Sequence, residues 1–174
     1  MHYELTKLIC RNLFRKNLKY SFNKFFGLKV QVKTRTPIAF GERILNEEKI
    51  LGFIDKDGIF IDQNNADKKN LNKLKIQVFG WEEKFKKILS EIFIAHESFE
   101  FELVKIVFSP NGFLTVEERD LKTIFLGFNP NLINYQLQII NNLKNEFEKS
   151  NFSEKIENVD LTDPNKPKIK VFKP

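Results

Sequence analysis

Apolar and polar residues alternate with a period of two in many short stretches of this chain, which predicts half-buried β-strands. The alternation is clearest in residues 28–33, where the apolar side chains fall on one face. Residues 18–26 show a similar alternation before a turn, so the two stretches together predict a β-hairpin. Further strands are predicted at residues 50–54, 59–61, 74–79, 101–109, 113–118, 122–128, 156–161 and 168–172.

Three segments instead space their apolar residues three or four positions apart, as an amphipathic helix does. They cover residues 3–13, 81–95 and 130–149. The third follows Asn129-Pro130, an N-cap residue and a proline at the first helical position. The apolar positions are Leu5, Leu8, Ile9 and Leu13 in the first helix, Phe85, Ile88, Leu89 and Ile92 in the second, and Ile133, Leu137, Ile140, Leu143 and Phe147 in the third. We interpret Trp81, at the start of the second helix, as a core anchor.

Turn signals join the predicted strands into hairpins. Asp57-Gly58 connects two of them, because glycine accepts a positive φ. Residues 110–112 and 118–121 connect three strands of a meander, and residues 163–167 precede the last strand. Strands and helices in this mixed order predict an α+β fold, with a largely antiparallel sheet and two packed helices.

Pro37 marks a boundary in the first third of the chain. It forces Thr36 into an extended conformation and has no N–H for a strand ladder. We therefore predict a junction between two sheets here, with residues 1–36 and 37–174 as separate domains.

Charge is distributed unevenly along the chain. Hydrophobic residues make up 41% of it and the net charge is +6, but residues 1–36 contain nine Lys or Arg against Glu4 alone. A basic segment on a near-neutral body can bind phosphates or an anionic surface. Lysine dominates in it, and lysine is poorer than arginine at bidentate phosphate recognition. We therefore interpret the segment as a solvated face, with a basic nucleic-acid-binding α+β domain as the alternative.

The residues from which metal and catalytic sites are built are scarce. Cys10 is the single cysteine and His2 and His96 are the only histidines, so a zinc or iron site would have to rely on carboxylates. A calcium loop centred on Gly58 would put Phe53 at its first ligand position, which excludes it. We interpret His96 as a helix-end or surface histidine. Four glutamates that could act as acid and base are interpreted as solvated: Glu100, Glu102, Glu117 and Glu118. We expect no enzymatic activity, metal or cofactor, and no apolar run approaches the roughly 20 residues of a membrane span.

Five motifs, taken in order, resemble the FtsQ/DivIB family of cell-division proteins. Residues 32–39 (VKTRTPIA) resemble the junction that joins the family's POTRA domain to its β domain, and residues 52–60 (GFIDKDGIF) resemble the hairpin that follows. Residues 74–80 resemble its short strand ending in glycine, residues 124–127 its next strand ending in glycine, and residues 159–167 its Asp-Leu and proline ending. The family has Glu at the position of Thr34 and often has Arg at the position of Thr162. Because threonine carries no charge, we do not expect the salt bridges that this Glu and this Arg would form.

The resemblance implies a non-enzymatic scaffold in the bacterial division machinery. It implies residues 1–36 as part of a POTRA domain (a helix and a β-hairpin), and residues 37–174 as the β domain. A membrane-spanning helix is expected upstream of an N-terminally truncated start, which would anchor these domains on the extracytoplasmic side of the plasma membrane at the septum. The implied partners are the FtsB/FtsL pair, and Arg35 and Pro37 are the implied junction residues.

The last predicted strand is the candidate partner-binding site. A strand followed at once by the end of the chain can lie at a sheet edge and accept a partner strand, or it can simply close the sheet. Alternation places Ile169 and Val171 on one face, able to pack on the body, with Lys168, Lys170 and Phe172 on the other. The predicted site comprises Thr162, Asp163, Lys168, Ile169, Lys170, Val171 and Phe172. A carbohydrate-active or peptidoglycan enzyme, the second rival class beside a nucleic-acid-binding domain, requires paired carboxylates in a cleft.

Overall fold

A computed structural model describes residues 17–23, 27–33, 35–63, 71–99, 101–150 and 156–172. The predicted helix at residues 3–13, with Cys10, lies outside these residues. Glu100 and the polar residues 64–70 also lie outside them.

The first sheet is a two-stranded antiparallel hairpin, as predicted. It consists of β1 (Asn17–Asn23) and β2 (Gly27–Lys33), with Leu18 opposite Val32. The next strand begins at Pro37 and belongs to a different sheet, so the sheets change at the predicted boundary. The division into two domains stays a prediction.

The second sheet has nine strands in the order β11-β10-β9-β8-β7-β6-β3-β4-β5. Its strands are β3 (Pro37–Leu45), β4 (Glu48–Asp55), β5 (Phe60–Asp62), β6 (Ile76–Phe79), β7 (Leu103–Phe108), β8 (Leu114–Glu118), β9 (Lys122–Gly127), β10 (Ile156–Asp160) and β11 (Lys168–Val171). Five neighbouring pairs are antiparallel, and three are parallel: β3 with β6, β6 with β7, and β9 with β10. The predicted α+β class with a largely antiparallel sheet is therefore confirmed.

Two helices make the crossovers that parallel strands require. α1 (Lys86–Phe99) connects β6 to β7, and α2 (Ile133–Ser150) connects β9 to β10. A short 3₁₀ turn precedes each, so both α-helices begin a few residues later than predicted. Asn129 caps the second turn as expected, because its Oδ1 accepts the N–H of Asn131 at 3.1 Å.

The larger of two hydrophobic clusters in the described residues lies between these helices and the sheet. Ile106, Val116, Ile124 and Val159 lie side by side on four neighbouring strands, and all are buried. The predicted apolar lines of both helices pack on them, with Leu89, Ile92, Leu137 and Ile140 at 0–1% exposure.

Trp81 is also buried, and its Nε1 donates to the carbonyl of Gly58 at 2.9 Å, which confirms it as a core anchor.

Sequence reasoning missed β3 and the hairpin that it forms with β4. The two strands pair from Pro37 and Asp55 to Leu45 and Glu48 around a turn at Asn46-Glu47. Both turn residues have a positive φ, 52° and 66°, without the glycine that usually marks such a turn. Gly41 and the polar pair that follows it also break the apolar alternation, so the pattern predicts no strand between Pro37 and residue 50.

Candidate partner-binding site

β11 is an edge strand of the nine-stranded sheet. It pairs with β10 on one side, antiparallel, with Lys168 opposite Asp160 and Ile169 opposite Val159. On its other side no strand of the described part of the chain pairs with it. Backbone groups on that side are therefore positioned to bond with an added strand.

The apolar side chains of β11 stay exposed, which corrects one expectation. Ile169 does lie on the helix-covered face, beside buried Val159, as the alternation indicated. Ile169 and Val171 are nevertheless 39% and 38% exposed, so the expectation that this face packs on the body is wrong. The reason is geometric, because an edge strand has a neighbour on one side only. Phe172, just beyond the strand, is 58% exposed.

The two lysines of β11 are tied to the neighbouring strand. The Nζ of Lys170 lies 2.8 Å from an oxygen of Glu157, and the Nζ of Lys168 lies 3.8 Å from an oxygen of Asp160. Both pairs are exposed, so each contributes little to stability. They nevertheless direct the two ammonium groups toward β10 and away from the outer edge.

Local hydrogen bonds fix the turn between β10 and β11. Asp160 accepts from the amide and the hydroxyl of Thr162, at 3.0 and 2.7 Å. These bonds, with the nearby charge of Lys168, hold the pKa of Asp160 below its usual value. Asp163 accepts from the amide of Asn165 through its side chain, and from that of Lys166 through its carbonyl. Thr162 and Asp163 therefore set the register of β11.

A buried glutamine anchors β10, the strand with which β11 pairs. Gln136 of α2 is 0% exposed, and its Nε2 donates to the carbonyls of Leu126 and Leu161, at 2.8 and 2.7 Å. The amide of Leu161 in turn donates to the carbonyl of Phe125 at 2.8 Å. α2 thus holds the ends of β9 and β10 together. The one signal in the sequence is that Gln136 lies on the apolar side of its helix, three residues after Ile133.

The junction residues Arg35 and Pro37 lie at the start of the nine-stranded sheet. A guanidinium nitrogen of Arg35 lies 2.5 Å from the buried carboxylate of Asp55 and 3.5 Å from that of Asp57. Asp55 also accepts the amides of Asp57 and Ile59, at 3.0 and 2.9 Å. A salt bridge therefore exists at the junction without the glutamate that Thr34 replaces, and it links two of the motifs that carried the family resemblance.

Three of the four glutamates considered for catalysis lie in the described residues and have structural contacts there, and one prediction about them is wrong. Glu118 is 2% exposed, not solvated, because its carboxylate accepts the amides of Glu102, Asp120 and Leu121. Glu102 pairs with Arg119 at 2.6 Å, and Glu117 with Lys105 at 2.8 Å.

His96 lies near the end of α1, as interpreted. Its Nδ1 is 2.5 Å from the carbonyl oxygen of Phe101.

The described residues show neither a metal-binding cluster nor a membrane-spanning helix. They contain no group of three or more His, Cys, Asp or Glu placed to hold a metal ion. No helix among them combines the length and the hydropathy that crossing a bilayer requires. In comparisons with known proteins, no family model and no curated protein matches this sequence.

Proposed function

We propose that this chain is a non-enzymatic scaffold of bacterial cell division, of the FtsQ/DivIB type, whose extracytoplasmic domains act at the septum of the plasma membrane. It binds FtsB/FtsL-like partners by adding one of their strands to β11. The five ordered motifs support the family, and the position of β11 supports the mode of binding.

The observation that carries the proposal is an edge strand with exposed apolar side chains. Natural sheets protect their edges with short strands and lysines, and β11 has both features. The strand nevertheless leaves Ile169 and Val171 exposed, and Phe172, directly after it, is exposed as well. Its two lysines form ion pairs with carboxylates of β10. An added strand would gain backbone hydrogen bonds along the edge, while its side chains cover these apolar groups.

Rigid support makes this edge suitable for binding. The Asp160–Thr162 bonds fix its turn and Gln136 fixes the strand beside it. A strand already ordered before binding loses less conformational entropy when the partner arrives. We therefore expect little change in the backbone of β10 and β11 on binding.

The test is calorimetric titration of the full chain with a peptide from the FtsB-like protein of the same organism. Truncating a buried aromatic at an interface commonly costs about 2 kcal/mol, so Phe172→Ala should weaken binding about thirtyfold. Lys168→Ala is the matched control on the same strand, and loss of an exposed ion pair should change affinity by less than about fivefold. Equal affinities for the wild type and both variants would locate the site elsewhere.

Proline substitutions test the backbone part of the proposal. Amide groups alternate sides along a strand, so either Ile169 or Lys170 directs its N–H outward. We expect one of Ile169→Pro and Lys170→Pro to abolish binding with little loss of stability, since proline removes a donor that only the added strand uses. The other removes a bond to β10 and should lower the melting temperature. If neither affected the affinity for the peptide, strand addition at β11 would be refuted.

The salt dependence of binding distinguishes the proposed peptide binding from the alternative, nucleic-acid binding. A protein that neutralises several phosphates loses affinity steeply as salt rises. We expect the chain to bind the peptide with weak salt dependence and to bind duplex or single-stranded oligonucleotides no more tightly than another protein of similar charge.

A further inference from the structure

A cavity of about 470 Å³ lies between the starts of α1 and α2, at the ends of β7 and β9, and one strand, β10, separates β9 from β11. We call it the helix-start cavity. Phe108 and Gly127, the last residues of β7 and β9, contribute to its wall, and these two strands run in the same direction. Its volume falls within the roughly 300–1,000 Å³ of small-molecule sites. Open sheets hold their ligands outside such carboxyl ends of strands.

The interior of the helix-start cavity is apolar and aromatic. The rings of Phe85 and Phe108 stack there with centroids 4.2 Å apart, and buried Leu114 and Ile133 lie beside them. Phe128 stands on the rim, 60% exposed. A large exposed aromatic next to a cavity offers apolar area that a ligand would remove from water.

Charge around the cavity favours an anion. Lys84 and Lys87 line it on the α1 side, against a single carboxylate, that of Glu91. Lys87 lies 3.8 Å from Glu91, and Lys84 is bound to Glu82 outside the lining, at 2.8 Å. These are exposed pairs of little strength, so an entering carboxylate can compete for both ammonium groups. Both helices also direct the positive ends of their dipoles here.

The 3₁₀ turn before α2 and the turn between β7 and β8 supply side-chain donors instead of free amides. The amides of Asn131 and Leu132 already donate to Asn129. The carboxamide groups of Asn111 and Asn129 use their oxygens as acceptors and keep their N–H₂ groups as donors. Ligand donors therefore include the two lysines and the carboxamides of Asn111 and Asn129.

We propose that the helix-start cavity binds a small carboxylate with an aromatic or alkyl body. The body lies over Phe85, Phe108 and Phe128, and the carboxylate lies toward Lys84 and Lys87. This site goes beyond the proposed function and does not depend on β11.

The first experiment titrates the full chain with three probes that share one skeleton: 4-phenylbutyrate, its primary amide and 4-phenylbutylamine. Chemical shifts of the Gly112 and Gly127 amides report on the cavity. For about 12 heavy atoms we expect a Kd of the acid on the order of 1 mM. The acid should bind at least threefold more tightly than the amide, and the amine most weakly. No saturable shift at either glycine would overturn the proposal, and equal binding of acid and amine would overturn its choice of a carboxylate.

Surface variants then locate the charge without risk to folding. Lys84→Gln and Lys87→Gln should each weaken the acid about two- to fivefold, as expected for exposed pairs, and leave the amide unchanged. Lys56→Gln, an exposed lysine on the β4–β5 turn, is the control and should change neither. Phe128→Ala should weaken all three probes. If both lysine variants bound the acid like wild type, the proposed orientation would be wrong.

Discussion

Glu118 offers the sharpest test of how this fold is stabilised. Its side chain is fully buried, its carboxylate accepts three amides at 2.7–3.0 Å, and the Nζ of Lys144 lies 3.4 Å away. Of the three amides, that of buried Leu121 has least access to water once the carboxylate is removed. We predict that Glu118→Ala strongly lowers the free energy of unfolding, whereas Glu117→Ala, at the neighbouring residue on the same strand, changes it little.

The magnitude follows from the groups left behind. A buried amide without its charged acceptor costs about 2 kcal/mol, and two partly exposed amides together cost about 1 kcal/mol. Lys144, whose side chain is 11% exposed, loses its buried partner but stays 3.7 Å from Asp120, so we assign it a further cost of about 1 kcal/mol. The total is about 4 kcal/mol, which for a chain of this size lowers Tm by about 10 °C or more.

Denaturant unfolding of the full chain measures this loss, with Glu117→Ala as the matched control. Glu117 is 38% exposed and pairs only with half-buried Lys105 among the described contacts, so its removal should cost less than about 1 kcal/mol. Glu118→Gln keeps an uncharged acceptor at this position, so it should lose only about half as much stability as Glu118→Ala. If Glu118→Ala were within about 1 kcal/mol of Glu117→Ala, the reasoning about buried amides would be refuted.

Three further changes have definite expected outcomes. Gln136→Leu removes the side-chain donor of two carbonyls but also a buried side-chain oxygen that has no partner in the described residues, so we expect a net loss of about 1 kcal/mol in urea unfolding and faster hydrogen exchange in β10 and β11; unchanged exchange there would contradict the anchoring role. Gly80→Ala places a Cβ 2.0 Å from the carbonyl oxygen of Phe108 at a φ of +70°, so the variant should be strongly destabilised or unfolded by circular dichroism, and a wild-type Tm would contradict this. The lowered pKa of Asp160 gives stability that is present above the pKa of unfolded aspartate, about 3.9, and is lost as pH falls through the folded pKa; Asp160→Asn should lack that part of the pH dependence, and an identical acid profile would contradict it.

Much of the fold followed from short-range patterns in the sequence. The buried line from Ile133 to Phe147 and the Asn129 cap gave α2, because periodicity and capping are local properties. The order of the strands did not follow. β3 lies between β4 and β6, and this placement depends on contacts between residues far apart in the chain.

The candidate site was predictable in position but not in packing. The alternation at Lys168–Val171 predicts a strand, left open between an edge and a closing position, and the structure has it at the sheet edge. Burial was harder to predict, because a carboxylate looks the same in sequence whether solvated or buried. Glu118 accepts two amides from the turn that follows it, but the third, that of Glu102, comes from a distant segment, as do the two carbonyls bound by Gln136.

Hydrogen exchange at the amides of β11 tests the central claim most directly. The full chain is compared alone and with the FtsB-like peptide. The outward amides of residues 168–172 should slow on binding, because the added strand supplies their acceptors, while amides of β5 at the opposite edge should keep their rates. Saturated binding with unchanged exchange in β11, or slowing confined to other strands, would contradict strand addition at this edge.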